Sequence, residues 1–195
     1  MSRYAPGHKQ ESKARILAAV GRGFRKRGYG GIGVDGLAKE AEVTSGALYG
    51  HFPSKEAAFK EAVVAGMDEL RQGIEALRAE HGAKWVEVFI DFYLGYKRTC
   101  ELGESCALQS LTPEVQRADS ATKTAFESEI SLVAQAVADG LAGTAARRLE
   151  RAWSLLAVLS GGVTLARAVK DPAVANGIAA AIRKAAVAAA GEAGK

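Results

Sequence analysis

The chain has 195 residues, enough to bury a sizeable core and to hold a small head joined to a larger body. Its 48% apolar and 25% charged residues are ordinary for a soluble globular protein, and no run approaches 18 consecutive apolar residues, which excludes a simple membrane-spanning segment. The formal charge of +4 is unevenly placed: residues 1–60 hold 11 Lys and Arg against 5 Asp and Glu, the remainder 15 against 17, a basic head on a slightly acidic body that suits a polyanion partner.

The first ten residues, MSRYAPGHKQ, are basic with no apolar core behind them, so they do not read as a secretory signal and residues 1–9 are expected to form a basic arm. A helix is predicted from Glu11 to Arg27, because Ile16, Val20 and Phe24 recur every four residues. Gly28 to Gly33 ends it with four glycines in six residues. That stretch matches the dinucleotide-binding pattern GxGxxG in letters only. The pattern works after a strand, and here a charged helix precedes it, so it reads as a helix cap and turn.

Val34, Leu37, Ala38 and Ala41 mark a short amphipathic helix. After a break at residues 42–44, Ser45 to Phe52 forms a second, with Leu48 and Phe52 inward and Pro53 stopping it. Ser54 is a good N-cap for a long helix reaching Glu80, whose apolar residues run from Phe59 through Val63 and Met67 to Leu77. The body begins near Gly82. Trp85, Phe89, Phe92 and Tyr96 form an aromatic stripe at helical spacing, residues 101–112 look irregular, and Pro113 restarts a helix. Three further helices follow, marked by Phe126 to Leu141, by Leu149 to Val163, and by an Asp171 cap with Pro172 at the first helical position. The tail from Gly191 is expected to fray.

Two short helices separated by a three-residue break, after a longer helix and inside a basic segment, describe a helix-turn-helix whose second helix enters the major groove. Thr44 and Ser45 offer hydroxyls to phosphate or base edges, and Gly46 and Ala47 let the backbone approach DNA closely. Tyr49 and His51 can hydrogen-bond phosphate oxygens. Lys55 adds its charge to the N-terminal N–H groups of the next helix, a ready phosphate site.

The segment from Val34 to Glu56, with its GALYGHF and SKE elements, resembles the DNA-binding segment of the TetR family, the likeness covering roughly residues 12–66. The resemblance implies an all-α fold: an N-terminal three-helix DNA-binding domain over residues 1–54 and a C-terminal helical effector-binding and dimerisation domain over 55–195. It implies a cytoplasmic homodimer joined through its last two helices, with GGVTLARAVKDP as part of that pair. It implies a transcriptional regulator, a repressor released from a palindromic double-stranded DNA operator when a small apolar or aromatic effector binds the body. No enzyme activity, cofactor, metal or membrane partner is expected. The sequence departs from the family where Gly33 replaces the usual Ser or Thr cap, and where Glu42 stands in place of a turn glycine, a position that asks for a strained backbone in any other residue.

For the effector, the resemblance points to a cavity among the middle helices, with Phe92, Tyr96, Phe126 and Trp153 as candidate walls. Cys106 lies where a loop becomes a helix. It reads either as a small buried hydrophobe or as a reactive thiol, and the second makes redox or electrophile sensing the alternative function.

Overall fold

A computed structural model describes residues 6–191, with side chains from Gln10 onward. Residues 1–5 of the expected basic arm and residues 192–195 of the tail lie outside the described residues. Ten α-helices occur among the described residues: α1 (Pro6–Gly31), α2 (Val34–Glu40), α3 (Ser45–Tyr49), α4 (Lys55–His81), α5 (Trp85–Leu94), α6 (Tyr96–Thr99), α7 (Ala107–Val115), α8 (Ser120–Ala138), α9 (Ala145–Ala168) and α10 (Pro172–Ala190). Short 3₁₀ turns at Gly82–Lys84 and Leu102–Glu104 link some of them, and no strand occurs among the described residues.

The helices pack into two compact units. The first takes residues up to 66 and 101–126, the second 67–100 and the chain from 127 onward. In the first, the apolar stripes meet as the spacing requires: Ile16, Val20 and Phe24 of α1, Leu37 of α2, Leu48 of α3, and Phe52, Phe59 and Val63 are all essentially inaccessible. The segment 101–126 belongs to this same unit. Arg25 Nε donates to the Gly103 carbonyl at 2.6 Å, and a Cβ placed on Gly66 would lie 2.4 Å from the Ala107 side chain, so α4 and α7 touch backbone to side chain.

Several boundaries differ from those expected. The first helix is assigned Pro6–Gly31, but Gly28 inside it has φ 70° and ψ 169°, so the regular spiral ends at Arg27 and a separate turn follows. The second short helix stops at Tyr49, capped by Gly50, and does not reach Phe52. Pro113 lies inside α7, which starts at Ala107. A proline in the last turn of a nine-residue helix forfeits one hydrogen bond, the one its N–H would have made to the Gln109 carbonyl, while the neighbouring Thr112 hydroxyl donates to the Leu108 carbonyl at 2.5 Å.

The aromatic stripe is not one helix face. Gly95 breaks it, and Trp85, Phe89 and Tyr93 turn into the core of the second unit while Phe92 and Tyr96 turn out. The Trp85 indole donates to the Gly140 carbonyl at 3.0 Å, and the same ring leaves no room for a Cβ at Gly140. The Arg167 guanidinium of α9 donates to the carbonyls of Lys97, Arg98 and Cys100 at 2.7–2.9 Å and so closes the C-terminal end of α6. Helices α9 and α10 pack closely at Gly162, where a Cβ would stand 2.6 Å from Ile182. The Asp171 carboxylate caps α10 by accepting from Ala173 N at 2.8 Å, with Pro172 behind it as expected. By length and composition α10 could cross a membrane, yet it carries Arg183 and Lys184, and Arg183 forms a two-point pair with Asp91 of α5.

Candidate nucleic-acid interface

The residues singled out from the sequence gather on α3 and its N-cap, in the turn after it and at the start of α4. The turn between α2 and α3 is a left-handed cap: Val43 N donates to the Ala38 carbonyl at 2.9 Å and Glu42 N to Lys39 at 3.1 Å. This arrangement needs a positive φ at its central residue, and Glu42 has φ 55°, alone among described residues other than glycine. The strain expected at that position is therefore present.

Thr44 then caps α3. Its hydroxyl oxygen accepts from Ala47 N at 3.1 Å, and its own proton can rotate to an acceptor such as phosphate. Ser45 is engaged differently. Its hydroxyl donates to Asp35 at 2.6 Å and ties α3 to α2, so Ser45 has only lone pairs left to offer. Gly46 and Ala47 are exposed, and Tyr49 projects with 53% of its surface accessible. His51 is half-buried beside Phe52, ring centroids 6.4 Å apart.

At the start of α4, Ser54 accepts from Ala57 N at 3.1 Å, which confirms its capping place, and the Glu56 carboxylate turns back on its own backbone N–H. Lys55 stands there with its ammonium 4.3 Å from the centroid of the Tyr29 ring. The Tyr29 hydroxyl donates to Glu56 at 2.7 Å. Burial, followed by the neighbouring Glu56 charge, pushes the Tyr29 phenol up to about 12. The same hydrogen bond holds the Glu56 carboxyl below its ordinary range. Tyr29 is the residue that sequence reasoning missed. It lies inside the glycine-rich stretch that ends the first helix, and nothing in its spacing signals contact with residues 55 and 56. Below this turn Tyr29, Glu56 and Phe59 line, with Glu114 and Asp119, a cavity of about 370 Å³ within the first unit.

The effector candidates do not gather in the same way. Phe92 and Tyr96 stack on each other, centroids 5.6 Å apart, but are 44% and 52% exposed, and Trp153 is 41% exposed. Within one protomer these three are surface residues, not enclosed walls. Phe126 is half-buried in the first unit. Cys106 is the N-cap residue of α7, as its place at the loop-to-helix junction indicated, and is 6% exposed. Neither cysteine is in a disulfide.

Residues 16–62 match the model of the bacterial regulatory proteins, tetR family. No curated protein sequence matches. Among solved structures, a TetR-family transcriptional regulator from Cytophaga hutchinsonii superposes with a TM-score of 0.73 at 16% identity, over 95% of this chain and 98% of that one. One from Agrobacterium tumefaciens gives 0.72 at 18% identity over 90% and 97%. The transcriptional regulator FadR from Bacillus subtilis, in complex with stearoyl-CoA, gives 0.61 at 13% identity over 88% and 98%.

Proposed function

We propose that the chain, whose residues 16–62 match the tetR-family model and whose fold resembles TetR-family regulators, is a cytoplasmic, homodimeric DNA-binding repressor that leaves a palindromic operator when a small apolar or aromatic effector binds its C-terminal helices. The observation that carries this reading is the exposed face of Thr44, Gly46, Ala47 and Tyr49, flanked by Lys55 at the entrance of a 27-residue helix. Residues 1–54 serve as the DNA-binding domain and the remainder as the effector-binding and dimerisation domain.

The dimer is supported by α9 and α10. Leu149, Trp153, Leu165, Val174 and Val187 are large apolar residues left 37–60% exposed on this helix pair, which suits cover by a second copy. The effector is supported by fold likeness to a regulator captured with stearoyl-CoA, and by the outward Phe92 and Tyr96 pair, which offers ring surface and a hydroxyl. For release to follow, the effector must bind the released state more tightly than the DNA-bound one. Thiol sensing at Cys106 is the weaker reading, because a buried thiol is slow to meet an oxidant.

Fluorescence anisotropy of a labelled duplex, titrated at several salt concentrations, tests the DNA-binding face. Lys55→Ala is expected to weaken binding to all sequences and to reduce the salt slope by about 1, the share of a single neutralised phosphate. Unchanged affinity and slope would refute the assignment of Lys55.

A further inference from the structure

Lys55 and Glu56 stand side by side at the start of α4, one a cation useful at a phosphate and the other an anion harmful there. Tyr29 touches both. Its ring is fixed from behind, 5.1 Å from the Phe59 ring edge to face and 6.0 Å from Phe24 in a stack. On the open side the Lys55 ammonium lies 4.3 Å over the ring, and the hydroxyl donates to a Glu56 carboxylate oxygen at 2.7 Å. One rigid side chain therefore holds two opposite charges at two separate points, the cation on its π face and the anion on its hydroxyl.

We infer that Tyr29 is a positioning residue for DNA binding, sorting the charges of Lys55 and Glu56 so that α4 presents the cation to a phosphate while the carboxylate is kept occupied. The inference rests on the reading of Lys55 as a phosphate contact. The physical reason is competition. The free N–H groups of a helix N-terminus attract any anion, a first-turn carboxylate as readily as a phosphate. The Tyr29 hydroxyl satisfies one oxygen of Glu56, and the ring face keeps the neighbouring ammonium apart from it. Without the hydroxyl, the carboxylate keeps only its bonds to its own backbone N–H and to Ser54, swings more readily toward Lys55 and the approaching phosphate, and its charge opposes binding.

Tyr29→Phe removes only the hydroxyl and keeps the ring against Phe24, Phe59 and Lys55. In anisotropy titrations of the full chain with a labelled random-sequence duplex, Tyr29→Phe is expected to weaken binding about twofold to fivefold with the salt slope unchanged. Adding Glu56→Gln, which removes the charge, is expected to restore affinity to the wild-type level. Thermal unfolding of each variant accompanies the titrations. Wild-type affinity in Tyr29→Phe overturns the inference. So does weakened binding that Glu56→Gln fails to restore, since that pattern belongs to a merely structural tyrosine. A wild-type chain that does not bind duplex refutes the DNA-binding reading itself and the inference with it, whereas wild-type binding that is insensitive to Lys55→Ala refutes only the phosphate role of Lys55 through which Tyr29 acts.

Discussion

At the scale of single residues, the turn of the helix-turn-helix carries its strain at Glu42. A side chain at positive φ costs about 1 kcal/mol or more relative to glycine, and this one also sets a negative charge beside α3, the helix proposed to face DNA. Glu42→Gly is therefore expected to raise the thermal midpoint and to tighten duplex binding; calorimetry and titration on the same sample check both, and a lowered midpoint would mean that the left-handed cap is not the native turn. Tyr29 gives a pH dependence whose sign follows from its partners. The phenol is raised from 10.0 to about 12 in the fold, so between those values the folded state holds a proton that the unfolded chain has lost. Its stabilising contribution is complete below pH 10 and disappears as the pH climbs toward 12, a loss that denaturant titrations should find diminished in Tyr29→Phe. Cys106 should alkylate slowly in the native protein and Cys100, only half-buried, faster. Peptide mass spectrometry after brief maleimide treatment measures this, and a rapid adduct at Cys106 accompanied by loss of DNA binding would favour the thiol-sensing alternative.

At the scale of elements, much was legible because helix caps and stripes are local signals. Thr44, Ser54 and Asp171 cap where their side chains allow it, and Ile16, Val20 and Phe24 bury as their spacing requires. What was not legible depended on distant partners. Pro113 looks like a helix start, but packing of Ala107 against Gly66 draws the helix six residues earlier. Gly95 divides a stripe that periodicity alone joins, and Phe92 and Tyr96 on either side of it lie exposed. Tyr29 precedes Glu56 by 27 positions, and only the fold brings them together. Close helix packing also gives an expectation at this scale. Gly162→Ala would place a Cβ 2.6 Å from the branched Ile182 side chain, forcing α9 and α10 apart. A cost of about 1–3 kcal/mol in chemical unfolding is expected, relieved in part by Ile182→Ala. No cost would mean that the helix pair is looser than that distance implies.

At the scale of the whole molecule, a basic N-terminal segment is joined to a slightly acidic helical body whose last two helices expose apolar side chains. The match of residues 16–62 to the tetR-family model supports DNA binding by that segment, and the proposed two-fold dimer would place two copies of α3 on successive major grooves of one DNA face. Selection from a random-sequence duplex pool with the full-length protein tests this most directly. The expected result is enrichment of two-fold symmetric sequences with half-sites about 10 base pairs apart or a multiple of that, bound with a stoichiometry of two chains or more per site. Recovery of the input pool without enrichment, or enrichment of asymmetric sites bound by a single chain, would contradict it.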